Sequence, residues 1–561
     1  MRKDKLNFKK RRMIFINMKA ILGFLLFLSA LTPLHASTVV VYHTSDVHGG
    51  YSAEKAKWDK ENPDRLIGGF AALSSLVGKE TAPYLLIDSG DTFQGTAAGN
   101  FSKGMASVEL MNRLGYVALV PGNHDFDYGI PVLRDMAVKA NFPLLGANMY
   151  DKTSCRQVKA KNGKKESEKC ERVGFVEPFT VVKRGGHRIV ILGIAGTHTA
   201  TSTLPSNVKD IKFGSEPKET EKWVKKIEKE VKPDVILIAI HDGVGGAYGA
   251  RPVTPEYIAE TGIPKSLEKK GNIAVARAIK GAPAVIFGGH THASFFDGLY
   301  DEVSKILLVE SGSSLRYVSR VTLTFDDNTG KFLKAESKLV PLWVDETGSD
   351  GAVEALVQKY KAQSDAAMNK VIGHIDVDLL REGLDYSAGN WFADAMKRYS
   401  NEKLNIPVQI AFQNSGGVRT ELRKGDVTVG DVYKVMPFDN TLVTLKLTGE
   451  QIVRVMKENL RPDSSAMQVS GIKVSFSVAD GRVKDVNITL GDGTPIDPKK
   501  EYSVATNNYL VQAGNGGKVI SEGAAGSFDT GTPLRDVLVA DITEHPVDKL
   551  PEGGRIVRAD N

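Results

Sequence analysis

The chain of 561 residues has room for two or three domains at roughly 100–200 residues each, and its 42% hydrophobic and 25% charged residues exclude a disordered, collagen-like or coiled-coil protein. The formal net charge of +6 comes from one end: residues 1–36 hold eight of the 73 basic residues and one of the 67 acidic ones, leaving 65 against 66 beyond them. The alkaline balance is therefore no argument for nucleic acid, and no nucleic-acid polymer is expected as a partner.

The first predicted element is a leader. It is basic up to Lys19, apolar over residues 20–31, and offers a small residue at the end of Leu34-His35-Ala36. Basic, apolar and then small is the order of a secretory signal peptide. The apolar run of about twelve residues falls short of the ~20 that span a bilayer as a helix. Cleavage near Ala36 into the periplasm or the exterior is expected, with no stable membrane span; an uncleaved anchor is the alternative. Met18 is a second possible start, because the segment from Met18 onward is already a complete short signal.

Residues 37–345 read as the first domain. Short apolar runs at 38–42, 84–87, 117–120, 188–194, 235–240 and 284–287 have the β-branched character of buried strands, and segments such as 217–231 between them have helical spacing. A layered α/β domain follows. Cys155 and Cys170, the two cysteines of the chain, bracket a Lys-rich stretch with an Asn162-Gly163 turn signal. In an oxidising compartment the simplest reading is one local disulfide, worth about 3 kcal/mol for a loop of ~15 residues. Two separate thiols are the alternative.

Residues 346–372 read as a linker helix. Val353, Leu356, Val357, Tyr360, Met368 and Val371 share one side, Ser349 or Asp350 caps the start, and Gly373 stops it. Residues 373–561 mix helices with alternating strands, such as 442–447 and 472–476, and predict a second domain of α+β type.

Chemistry-bearing residues follow five of the first-domain runs. In order these are Asp46 and His48, then Asp91, then Asn123-His124-Asp125, then His241, then His290 and His292. Ligand sites in open α/β sheets lie beyond the carboxyl ends of strands, so five neighbouring strands would deliver these groups to one edge. Taken singly, each is an ordinary turn or a structural histidine. Together they predict a metal site. Oxygen and imidazole donors without thiolate suit Zn²⁺, Mn²⁺, Co²⁺ or iron, and seven ligands fit two ions that share a carboxylate.

The motifs Asp46-x-His48, Gly90-Asp91, Gly122-Asn123-His124-Asp125, His241 and Gly289-His290-Thr291-His292 resemble those of the calcineurin-like metallophosphoesterases. The second domain resembles the 5′-nucleotidase/UDP-sugar hydrolase branch of that superfamily through Asn414-Ser415-Gly416-Gly417-Val418-Arg419, Met436-Pro437-Phe438-Asp439-Asn440, Thr506-Asn507-Asn508-Tyr509, and Gly389-Asn390 followed by Ala393-Asp394-Ala395. The resemblance implies two divalent ions (Zn, Mn or Co), one held by Asp46, His48, Asp91 and His292, the other by Asp91, Asn123, His241 and His290, with Asp91 bridging. It implies His124 as proton donor or charge stabiliser, oriented by Asp127. It implies substrate contacts from Arg381, Asn414, Gly417, Arg419 and Asn440, and a nucleobase stacked between Phe438 and Tyr509. Two departures stand out: Tyr509 replaces the more usual Phe, and Asn515 stands where the branch carries a ribose-binding Asp. The function so implied is a secreted phosphohydrolase that removes the 5′-phosphate of nucleotides, with UDP-sugars or other nucleotide pyrophosphates as further substrates. A 2′,3′-cyclic-nucleotide phosphodiesterase, a sulfur-oxidation hydrolase and a non-catalytic surface protein are the alternatives; the Phe438/Tyr509 pair favours nucleotides. Nothing in the sequence sets an oligomeric state.

Overall fold

The apolar runs of the first half form two sheets stacked face to face. A computed structural model describes residues 36–158, 167–244, 252–253, 269–279 and 284–559, so the leader at 1–35 and the Asn162-Gly163 turn lie outside the described residues. The first sheet runs Phe332–Pro341, Tyr317–Asp326, Ala36–Thr44, Tyr84–Asp88 and Ala118–Leu119. The second runs Leu299–Asp301, Ile306–Glu310, Ala284–Gly288, Val235–Ile240, His187–Ile194 and Phe179–Arg184. In the first sheet Ala36–Thr44, Tyr84–Asp88 and Ala118–Leu119 pair in parallel. So do the four central strands of the second.

This corrects the expectation of five neighbouring strands in one sheet. Val39, Val41, Leu85, Ile87, Ile189, Ile191, Leu237 and Phe287 form a core between the two sheets. The outer faces are covered separately: Phe70–Val77 and Met105–Leu114 pack on the first sheet, Glu216–Glu230 and Gly271–Ala278 on the second. The central parallel strands are apolar on both faces because one face meets a sheet and the other meets helices. Truncating the fully buried Phe287 to Ala should cost ~3–5 kcal/mol.

The helix Gly351–Met368 begins at Asp350, whose carboxylate accepts from the backbone N–H groups of Ala352 and Val353. Val353 and Val357 are buried in the helical core of the first domain, with Leu356 and Tyr360 packed beside them. The connector is therefore docked on that domain. It ends three residues before Val371, the last residue its periodicity suggests, because the β-branched residues of Val371–Ile375 start a strand that pairs with Gly425–Thr428. Gly373 lies inside that strand, where an added Cβ would stand 2.7 Å from Ile542 Cγ2.

The second domain is built on a five-stranded sheet ordered Met467–Ser470, Ile410–Asn414, Glu501–Asn507, Thr441–Thr448 and Phe528–Pro533. Ser387–Glu402 and Leu534–Glu544 cover one face through Trp391, Phe392 and Leu538. Gly449–Asn459 covers the other through Ile452, Val455 and Met456. Cys155 and Cys170 are joined in a disulfide that closes the small hairpin of Arg156–Val158 and Ser167–Lys169. No helix of the described residues is long and apolar enough to cross a membrane.

Candidate active site

Because the two sheets align, parallel strands from both end on a common face. Asp46 and His48 follow Ala36–Thr44, Asp91 follows Tyr84–Asp88, and Asn123 and His124 follow Ala118–Leu119. From the second sheet, His241 follows Val235–Ile240, and His290 and His292 follow Ala284–Gly288. The structure thus brings all seven expected metal residues together. His48 Nε2 lies 3.0 Å from His292 Nε2 and 3.9 Å from Asp91 Oδ2. The same Asp91 oxygen lies 3.3 Å from His241 Nε2, which is 3.2 Å from Asn123 Oδ1. His292 Nε2 stands 3.6 Å from Asp46 Oδ1.

The ring orientations have local causes. His48 Nδ1 donates to the Gln94 carbonyl at 2.8 Å and His241 Nδ1 to the Ser89 carbonyl at 2.6 Å, which turns both Nε2 atoms inward. Asp125 accepts from the backbone N–H groups of Gly122, Asp91 and Thr92 and so ties two of the turns together. A Cβ on Gly122 would lie 2.2 Å from Asp91 Oδ1 and 2.7 Å from His241 Cε1, so only glycine permits this approach. Asp46, His48, Asp91, His290 and His292 all hold left-handed φ angles between 48° and 66°, a conformation that L side chains avoid and that clusters at functional sites.

The donor set fits divalent ions. Burial pulls the His48 imidazole down to about 3, and burial together with neighbouring charge takes His290 and His292 well below their ordinary value, so these rings are neutral and carry lone pairs. Burial lifts the Asp46 carboxyl to about 7, with His241 opposing the rise and Asp91 adding to it. Burial also pulls on His241, but Asp91 and Asp46 reverse it and raise that imidazole to about 10. Two buried carboxylates beside imidazoles facing one another at 3.0 Å make a donor set that suits a cation.

His124 projects beside this cluster. Its Nδ1 pairs with Asp127 Oδ2 at 2.8 Å, and Asp127 Oδ1 accepts from the Thr203 hydroxyl at 2.8 Å. Burial lowers the His124 pKa, but Asp127 and Asp91 outweigh it and leave it raised. On the other side its ring stacks on Phe438 of the second domain at 5.3 Å between centroids.

A cavity of about 590 Å³ opens between the domains at this point. Asn123, His124, Asp127 and His290 line it from the first domain, and Asn414, Arg419, Phe438, Asn440, Tyr509 and Asn515 from the second. No carboxylate among the described residues pairs with the Arg419 guanidinium, which lies 5.7 Å above the Phe438 ring. Gly417 sits beneath the wall, where a Cβ would meet Gln413 Nε2 at 2.4 Å. Arg381 is exposed outside the wall, its guanidinium 3.5 Å from the Ser415 carbonyl. Asn515 Nδ2 donates to Ser202 Oγ at 3.0 Å, and the Tyr509 hydroxyl donates to the Thr201 carbonyl, so both residues touch the first domain directly.

Two residues escaped the sequence reading. Gln94 lines the cavity with a buried side-chain amide that has no hydrogen-bond partner among the described residues. His198 follows another parallel strand, His187–Ile194, and stacks on His290. The strand-end rule reaches His198 once the search extends four residues beyond Ile194, the same distance as Asn123 beyond Leu119.

Comparison with known proteins matches residues 39–294 to the calcineurin-like phosphoesterase family and residues 371–522 to the 5′-nucleotidase C-terminal domain. The chain is 28% identical over 528 residues to the trifunctional nucleotide phosphoesterase protein YfkN of Bacillus subtilis (strain 168), covering 87% of this chain but only 33% of that protein's length. It is 25% identical over 525 residues to protein UshA of Escherichia coli (strain K12), covering 85% and 86% of the two chains. It is also similar to the crystal structure of a 5′-nucleotidase precursor from Thermus thermophilus, with a TM-score of 0.76, 26% identity, and coverage of 93% and 100%.

Proposed function

Since the chain joins a calcineurin-like phosphoesterase domain to a 5′-nucleotidase C-terminal domain, it belongs to the 5′-nucleotidase branch of the calcineurin-like metallophosphoesterases and is a phosphoric ester hydrolase, and we propose that it is a secreted, dinuclear enzyme that removes the 5′-phosphate of nucleotides. UDP-sugars and other nucleotide pyrophosphates are further substrates in this reading. The observation that carries it is the single cavity of about 590 Å³ shared by the histidine and carboxylate face and by Arg419, Phe438 and Tyr509. That volume suits a nucleotide. Export is supported by the leader and by the disulfide, a bond that persists in oxidising compartments.

In this reading Asp46, His48, Asp91 and His292 hold one ion, and Asp91, Asn123, His241 and His290 the other, with Asp91 shared. When bound, the ions supply Lewis-acid stabilisation of phosphate oxygens and an acidified water. Arg419, with which no carboxylate among the described residues pairs, takes the remaining phosphate charge, and Arg381 joins it only by leaving the Ser415 carbonyl. His124 gives a proton to the departing 5′ oxygen from Nε2 while Asp127 holds Nδ1. Phe438 and Tyr509 stack on the base, a contact tolerant of base identity. Asn414, Gly417 and Asn440 shape the wall around it, and Asn515 faces the sugar.

The test is metal-dependent phosphate release across nucleoside mono-, di- and triphosphates, UDP-glucose, thiosulfate-ester substrates and 2′,3′-cyclic AMP. Release from 5′-AMP, abolished by chelator and restored by metal, is expected. Turnover confined to the cyclic or sulfur substrates, or turnover of none, overturns the reading.

A further inference from the structure

After the seven expected ligands and His124 are counted, one imidazole at the site remains. His198 stands at the head of the Thr199–Ser202 helix. Its ring stacks on His290 with centroids 3.6 Å apart and planes 21° from parallel, and it lies 5.8 Å from the ring of His241. One ligand nitrogen on each of the three rings falls within 4.8 Å of the others. His198 Nε2 is buried and has no hydrogen-bond partner among the described residues, a state that native structures rarely leave unexplained.

The surroundings favour a ligand role over mere packing. A Cβ on Gly196 would stand 2.1 Å from Cε1 and 2.6 Å from Nδ1 of His198, so the chain reserves the space this ring occupies. Glu216 and Asp242 each bring a carboxylate oxygen within 4.8 Å of a His198 nitrogen. A carboxylate on one nitrogen and an ion on the other is the arrangement that orients metal-bound histidines. The same short helix also steadies Asn123, whose side-chain amide donates to the Ser202 carbonyl at 3.3 Å.

We infer that His198 is a third imidazole ligand for the second ion, beside His241 and His290. The inference rests on the dinuclear reading above. It gives the second ion three nitrogen donors against two for the first, held by His48 and His292. Imidazole suits zinc and cobalt, whereas carboxylate and carbonyl oxygens suit manganese and magnesium. The second position should therefore prefer zinc or cobalt over manganese more strongly than the first.

The experiment compares full-length wild type with His198→Phe and His198→Ala, each loaded with zinc and dialysed against graded chelator, with ions per chain read by elemental analysis. X-ray absorption counts imidazoles per zinc on the same samples. Phe keeps a flat ring against His290 but has no nitrogen. Wild type is expected to hold two ions. Both variants should release one of them at a chelator concentration at least about 10-fold lower, with a reduced imidazole count. A His198→Phe protein that holds both ions as tightly as wild type, with an unchanged imidazole count, would make His198 a prop for His290 and overturn the inference. Fewer than two ions on wild type overturns the dinuclear reading itself and the inference with it. The two failures are therefore distinguishable.

Discussion

The two walls of the cavity are built differently. On the first domain, the residues that do chemistry sit in short turns directly off buried strands, and hydrogen bonds to backbone carbonyls hold His48 and His241 in place. On the second domain, Phe438, Asn440 and Asn515 sit on connecting loops and Tyr509 on the one-turn helix Asn508–Val511, all partly exposed or exposed. Several of the ties there cross to the first domain: Asn100 donates to the Pro437 carbonyl at 2.8 Å, and Tyr509 and Asn515 reach Thr201 and Ser202. Bond-making groups need geometry fixed in advance. Groups that recognise a base need only present a surface, and loops that close on the other domain do so.

By that contrast, disturbing the first wall should abolish turnover while disturbing the second should only reweight substrates. The most severe change is Asp91→Ala: both ions should be lost and phosphate release should fall to background, with ion content read on the same sample. Retention of two ions would mean that Asp91 is not shared. His124→Asn should keep both ions and lower kcat by roughly 10²–10⁴-fold. An ion missing from that variant would transfer His124 to the ligand set. On the second wall, Phe438→Ala should raise KM for AMP with kcat little changed, by the ~1–3 kcal/mol of one base–aromatic stack, or about 5- to 150-fold. A loss confined to kcat would place Phe438 with the chemistry, through its contact with His124.

Acid should also separate the two walls. Burial holds His43 down to about 3 within a buried network with Ser89 and Ser311, below the 6.5 of an unfolded histidine. Between those values the unfolded chain binds the extra proton, so the stability this group contributes is complete above the unfolded value. It is lost as pH falls toward the folded one, at ~1.4 kcal/mol per pH unit. Hydrogen exchange should show the first domain opening before the second on acidification, and His43→Gln should flatten that dependence. The smallest effect is expected at Asn515. Asn515→Asp adds a charged acceptor for ribose hydroxyls and should raise the AMP over dAMP preference by ~1 kcal/mol, a few-fold in kcat/KM. An unchanged ratio would leave Asn515 as a tie to Ser202 alone.

The same contrast governs what the sequence makes legible. On the first domain an apolar run followed within four residues by Asp, Asn or His is a local signal, and it locates all seven expected metal residues, with His198 standing at its outer limit. His198 is hidden because Ala195-Gly196-Thr197 separates it from its strand with nothing to draw the eye. The division into two sheets is not legible, since Val39 or Leu237 would be equally apolar against a helix or a second sheet. The end of the linker helix is obscured because Val371 fits the helical phase as well as the strand it joins. On the second domain, Phe438 and Tyr509 are recognisable only by resemblance. The Tyr509 contact with Thr201 joins residues 308 apart in sequence, beyond the reach of any local pattern.

The left-handed turns at Asp46, His48, Asp91, His290 and His292 bear on how robust this molecule can become. Each such residue costs on the order of 1–3 kcal/mol, and the surrounding structure must absorb it. Glycine at any of these positions would relax the turn and leave the metal-free chain harder to melt, yet in the proposed reading it would delete a ligand. Selection for heat resistance and selection for turnover therefore pull in opposite directions on the same few codons, and ordinary stabilising substitutions have to be found elsewhere.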